Sequence, residues 1–107
     1  MVNRPDLQAK FEKILGSRNV YYQPPESVKL SYPAIIYSRK ELRNTFANDD
    51  VYLQLPCYEV IVIDPDPDSK IVSAISRMIG VRFDRHYTAD GLNHDVFTLF
   101  DYRRNTL

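Results

Sequence analysis

The 107-residue sequence has no tryptophan, a single cysteine, three glycines and no net charge, 14 Lys and Arg balancing 14 Asp and Glu. Cys57 on its own forms no intramolecular disulfide, so the fold needs no oxidising compartment. The charge balance argues against a nucleic-acid binder, which holds phosphates with a cationic excess. It also removes the self-repulsion that keeps chains apart. No apolar run reaches the ~18 residues of a membrane span. The stretch from Met1 to Asp6 lacks the apolar core of a signal peptide, which predicts a product assembled in the cytoplasm. Gly16, Gly80 and Gly91 are too scattered to form a phosphate-cradling loop. Apolar and aromatic residues are plentiful instead, at 44% hydrophobic with eight Tyr and five Phe. That composition argues for a folded chain, and the length fits one domain, residues 1–107.

Patterning predicts a helix first. Asn3 reads as its N-cap, Pro5 and Asp6 suit its first turn, Leu7, Phe11, Ile14 and Leu15 make one stripe, and Gly16 closes it. Residues 17–33 read as an irregular strap, because Pro24, Pro25 and Pro33 favour extended, polyproline-like geometry. A strand is predicted at about 34–39, then a polar excursion from Arg39 to Asp50 with a turn at Asn48-Asp49-Asp50. A second strand runs from about 51 to 63, where Pro56 marks a bulge or an outer position with its side unpaired. The segment Asp64 to Ser69 breaks that strand and starts a helix capped by Asp68. Its stripe is Ile71, Ile75, Met78 and Ile79, and Gly80 ends it. Val81–Tyr87 and Leu92–Tyr102 flank a hairpin signal at Ala89-Asp90-Gly91. The order helix, strand, strand, helix, strand, strand predicts an α+β two-layer sandwich. Its sheet is mainly antiparallel and four- to five-stranded, with two helices on one face.

No catalytic pattern emerges. Asp64, Asp66 and Asp68 resemble the start of a calcium loop, but Ser69 and Ile75 occupy the positions where Gly and Glu are required. A turn and cap is the simpler use. His86 and His94 face each other in a hairpin centred on Asp90, near Asp84 and Asp95, and such a pair would suit zinc. With a turn one residue shorter, His86 faces Asp95. A solvated, hydrogen-bonded polar face is the preferred reading. Cys57 lies in an extended run, where a buried thiol is ordinary. No serine stands in a nucleophile elbow. The basic groups Arg39, Lys40, Arg43 and Arg103, Arg104 form no stripe with interleaved aromatics. Neither an enzyme nor a cofactor is expected.

The anomaly is apolar excess. Val60 to Ile63 is apolar on both faces, and Val96, Thr98, Phe100 and Tyr102 alternate with Phe97 and Leu99. Helices cover one face of such a sheet; the other still presents Phe97 or Phe100, Leu99 and tyrosines. Either the loops 17–33 and 39–50 fold over it, or a further subunit covers it, and charge balance with tyrosine richness favours the subunit.

Four strings carry a resemblance: Val20 to Ser27, Leu30 to Tyr37, Tyr58 to Ser69 and Phe83 to His94. Together they resemble the tail terminator or tail completion (neck) proteins of tailed bacteriophages, from about residue 7 to 102. The resemblance implies a structural α/β-sandwich subunit of the virion that forms a homo-oligomeric ring, commonly a hexamer. Such a ring caps the tail tube and joins it to the head connector. With that reading, Tyr21, Tyr22, Pro24 and Pro25 are candidate subunit contacts. The 39–52 excursion becomes a candidate β-arm anchored by Phe46, Val51 and Tyr52. Asp64, Asp66 and Asp68 are candidates to line the DNA channel, where repulsion lets DNA pass without specific binding. A head-side connector or stopper protein, and a small α+β nucleic-acid-binding domain, are the alternatives.

Overall fold

The structure, a computed structural model, describes residues 4–47 and 50–100, with the backbone alone for residues 4–5, 41–47 and 50–56. The Asn3 cap and the Asn48-Asp49 turn lie outside the described residues. Helix α1 spans Arg4–Leu15. Its Leu7 and Phe11 are buried in the core, and Ile14 and Leu15 pack beside them, as the stripe predicts. Gly16 closes the helix at φ +78°, donating its N–H to the Glu12 carbonyl at 2.8 Å. Gln8 ties α1 to the sheet. Its Oε1 accepts the Tyr37 hydroxyl at 2.7 Å and its Nε2 donates to the Val20 carbonyl at 2.9 Å.

The irregular strap predicted for 17–33 begins as a strand. Val20–Tyr22 forms β1, which runs parallel to β2, Ala34–Ala47, with Val20 opposite Ile35. Three residues are too few to display the alternation by which a strand is read. Tertiary pairing creates it, extended by the Ile35 N–H donating to the Asn19 carbonyl and the Gln23 N–H to Tyr37. The polar excursion also differs from expectation. Arg39 onward continues β2, with a register shift between Arg39 and Glu41, and pairs antiparallel with β3, Asp50–Asp64.

Helix α2 is Lys70–Ser76. Its cap is Ser69, whose Oγ accepts the Ile71 N–H at 3.2 Å, and not Asp68. Arg77 caps its other end, so Gly80 belongs to the turn that follows, at φ +84°. Ile79 lies beyond the helix and is 86% exposed, which corrects the predicted stripe. Ile75 is buried, and Ile71, Val72 and Met78 pack on the core. The chain ends in a hairpin of β4, Val81–Ala89, and β5, Leu92–Phe100. Asp90 and Gly91 turn it with φ of +52° and +74°, the conformation that suits the twist of paired strands.

The five-stranded sheet has the order β1-β2-β3-β5-β4, antiparallel except for β1. The fold is the expected α+β sandwich, with an added parallel strand. Leu7, Phe11, Val20, Ile35, Tyr37, Val60, Val62, Ile75, Phe97 and Leu99 form one buried cluster. Tyr37 lies at its centre, its ring 5.2 Å from Phe11 and 4.9 Å from Tyr22. Burying such side chains contributes roughly 1.5–3 kcal/mol each.

Two strands outrun the rest. β1 pairs with Ile35–Tyr37 only, and the β3–β5 pairs start at Cys57. Glu41–Ala47 and Asp50–Pro56 therefore pair with each other as a two-stranded ribbon among the described residues. Seven residues of strand reach about 23 Å, in a molecule of 50 × 24 × 23 Å. Pro56 sits at the root of the ribbon, opposite Leu42 and one residue past the pair Cys57↔Phe100. The Phe100 N–H donates toward β4, to the Gly80 carbonyl at 2.8 Å. Among the described residues β5 pairs with β3 only from Cys57 onward, so the side of Pro56 away from β2 carries no ladder there, and proline has no N–H to give. Proline thus occupies an outer, donor-free position, one of the two placements its sequence context allows.

Candidate functional site

The sheet face opposite the helices carries the most chemistry. Cross-strand register places Ile36, Ser38, Glu59, Ile61, Val96, Thr98, Phe100 and Arg82 on it. Phe97, one of two phenylalanines considered for this face, and Leu99, expected on it, lie instead in the helix-side core, and Phe100 takes the open-face position. The backbone of the excursion pairs as the β2–β3 ribbon, and Cys57, Val96 and Thr98 on this face are buried.

A bulge in β4 organises one side of the face. Phe83 pairs with Phe97 and Arg85 with Val96, leaving Asp84 as the extra residue. A bulge turns successive side chains to one side, and Asp84 meets Thr98 in that way. The Thr98 hydroxyl donates to Asp84 Oδ2 at 2.5 Å, and Arg82 Nε donates to Oδ1 at 3.0 Å. Partial burial alone would raise the Asp84 pKa; the Thr98 hydroxyl and the Arg82 guanidinium outweigh it and hold the carboxyl below its ordinary value. Arg82 also lies over the Phe100 ring, 5.5 Å from its centroid.

Across the sheet, Gln23, Pro24, Ile36, Ser38, Glu59 and Ile61 line an open trough of about 540 Å³, with Arg39 at its rim. Gln23 fixes one wall: its side-chain oxygen accepts the Arg39 N–H at 3.3 Å. Glu59 stands half-buried between Ser38 and Thr98, without a hydrogen-bond or ion-pair partner among the described residues. A carboxylate in an apolar strand was the signal that pattern-reading passed over.

The histidines separate. The two-residue turn puts His86 opposite Asp95 and Tyr87 opposite His94, the register of the shorter-turn alternative. His94 stacks on Tyr87 with centroids 4.6 Å apart, and its Nδ1 lies 3.2 Å from the Leu92 carbonyl. His86 Nε2 lies 3.3 Å from Asn93 Oδ1. No three His, Cys, Asp or Glu side chains among the described residues are grouped to hold a metal. Burial raises the Asp95 pKa with help from Asp64, against the attraction of His86 and His94.

The acidic turn is locally committed. Asp64 is buried, and its Oδ1 accepts the Asp66 N–H; Asp66 Oδ1 accepts the Asp68 N–H, each at 2.9 Å. Asp66 and Asp68 are exposed. Of the candidate contact residues, Tyr22 packs inward against Tyr37, and the Tyr21 hydroxyl accepts the Ser31 N–H at 3.4 Å. Pro24 lines the trough and Pro25 is exposed. Phe46 pairs in register with Val51, and Tyr52 falls at a register shift; their side chains lie outside the described residues, as do Arg43, Arg103 and Arg104. Cys57 is buried. No helix among the described residues is long and apolar enough to cross a membrane.

No protein-family model, curated protein or solved structure matches the chain.

Proposed function

We propose that this chain is a structural subunit of a bacteriophage virion, a tail terminator or tail completion protein. In this reading it forms a ring, commonly of six copies, that caps the tail tube and joins it to the head connector. It assembles in the host cytoplasm. The observation that carries the reading is the β2–β3 ribbon, which leaves the sheet with no third strand beside it among the described residues. A two-stranded ribbon is marginal in water unless something packs on it, and a neighbouring subunit supplies that packing. Exposed Val28, Tyr32, Ile79, Phe83 and Tyr87 add apolar surface suited to contact between copies. The zero net charge leaves such contact unopposed. Where the acidic turn faces the channel, Asp66 and Asp68 supply the charge that keeps DNA sliding, since Asp64 is buried.

Light scattering and negative-stain imaging of the purified protein test this. Rings of constant symmetry that co-sediment with isolated tails support it. A monomer at high concentration that ignores tail tubes rejects it. Co-sedimentation with filled heads instead assigns the protein to the head side.

A further inference from the structure

The two edges of the sheet differ. At the β1 edge the backbone is capped. The Ile35 N–H donates to the Asn19 carbonyl and the Gln23 N–H to that of Tyr37. Asn19, Tyr21 and Gln23 therefore turn toward β2, and the Val20 carbonyl turns away from it. Gln8 Nε2 donates to that carbonyl at 2.9 Å, and the Tyr37 hydroxyl holds Gln8 in place. The β4 edge is bare. β4 pairs with β5 alone among the described residues, and Arg82, Phe83 and Arg85 to Ala89 are exposed. The two-residue turn makes Ala89 and Leu92 a hydrogen-bonded pair. Tyr87 and Arg85 alternate with it in bonding to β5. The N–H and C=O groups of His86 and Thr88 thus point outward, an unmade ladder for one more strand.

Charge decides which strand fits there. A head-to-tail contact needs the β1 edge, which Gln8 closes. The β4 edge is open on every copy, and against itself it pairs antiparallel about a two-fold axis. An axis at Arg85 sets arginine opposite arginine, and one at Tyr87 brings Asp84 toward the partner's Asp90. An axis at Thr88 leaves almost no strand to pair, since β4 ends at Ala89. The axis at His86 avoids all three. It sets Arg85 opposite the partner subunit's Tyr87, and it brings Arg82, whose side chain is 59% exposed, beside the partner's Asp90. Arg85 already lies 5.8 Å from the Tyr87 ring of its own strand, so the contact extends a cation–π pair. The Asp84 bulge interrupts the edge beyond Arg85 and limits the registers that pair. We infer that β4 is a docking edge for β4 of a second copy, the two strands antiparallel about His86. The inference is independent of the ring reading, because β5 separates β4 from the ribbon strands.

Sedimentation of the full chain over a range of concentrations tests it, alongside Thr88→Pro. Proline at that outward position removes a docking donor and no β4–β5 bond. It is expected to keep the far-ultraviolet circular dichroism and to halve the mass of the largest species, dimer to monomer or paired ring to single ring. His86→Cys stands on the axis, within disulfide reach of its own copy, and is expected to oxidise to a covalent dimer. Thr88→Cys, about 13 Å along the strands from its copy, is expected to stay reduced; the native Cys57 is buried. A mass unchanged by Thr88→Pro overturns the inference, as does equal cross-linking at both positions. A single copy at every concentration also overturns it and leaves the edge to a different chain. If Thr88→Pro fails to fold, the two cysteine variants decide the matter alone.

Discussion

Thr98 is almost fully buried on the face away from the helices, and its hydroxyl is committed to Asp84. Because the Asp84 pKa is lowered on folding, its ionised form stabilises the fold above the ordinary aspartate range. That contribution fades as pH falls through the folded value. Thr98→Val keeps shape and strand propensity but removes the donor. The expected cost is about 1–2 kcal/mol at pH 7, shrinking as pH falls from the ordinary aspartate range through the lower folded value of Asp84; urea unfolding across that range measures it. Asp95 has the opposite sign. Its raised pKa means the folded state holds a proton more tightly, so stability declines as pH rises from the ordinary aspartate value to the folded one. Asp95→Asn is expected to flatten that decline, with a urea midpoint at pH 7 no lower than that of the unaltered chain. A lower midpoint would show that attraction to His86 and His94 outweighs burial.

The elements differ in how much local sequence specifies them. Helix α1 carries its stripe and its terminal glycine in plain view, and it forms where predicted. The β4–β5 turn is equally local: Asp90 and Gly91 both sit at positive φ, and a Cβ at Gly91 would meet nothing within 4 Å. Gly91→Ala therefore tests conformation alone. A loss of roughly 1 kcal/mol is expected in thermal or urea unfolding, with the His86↔Asp95 register kept in cross-strand amide contacts. Strand β1 has no comparable local signal. It exists because α1 delivers Val20 beside Ile35, and isolated residues 17–25 are expected to show no strand by circular dichroism. The cap of α2 moved by one residue because Asp68 lies outside the helix while Asp66 accepts its N–H, leaving Ser69 to cap.

At the scale of the whole molecule, the ribbon sets the shape. Its strands extend the sheet by about 23 Å, which accounts for much of a 50 Å length. Residues 39–50 looked like an excursion because their composition is polar; pairing between β2 and β3 makes them a ladder. Deleting residues 42–50 is expected to leave the Tyr37-centred core folded and to convert rings to monomers, read by mass in solution. Rings that survive the deletion would place the subunit contact elsewhere. The open face was legible only in part. Its apolar excess shows in Val60 to Ile63, but the identity of the side chains on it does not, because the Asp84 bulge resets which β4 residues share it.

Composition and periodicity alone settled the class of the molecule: an α+β fold, two helices with apolar stripes and a tight final hairpin. Each is a short-range property, encoded within a turn or a few strand residues. The parallel first strand, the histidine register, the bulge that aims Asp84 at Thr98 and the trough around Glu59 were decided by tertiary pairing. Those features depend on which residue stands opposite which across the sheet, and a shift of one position moves every side chain to the other face.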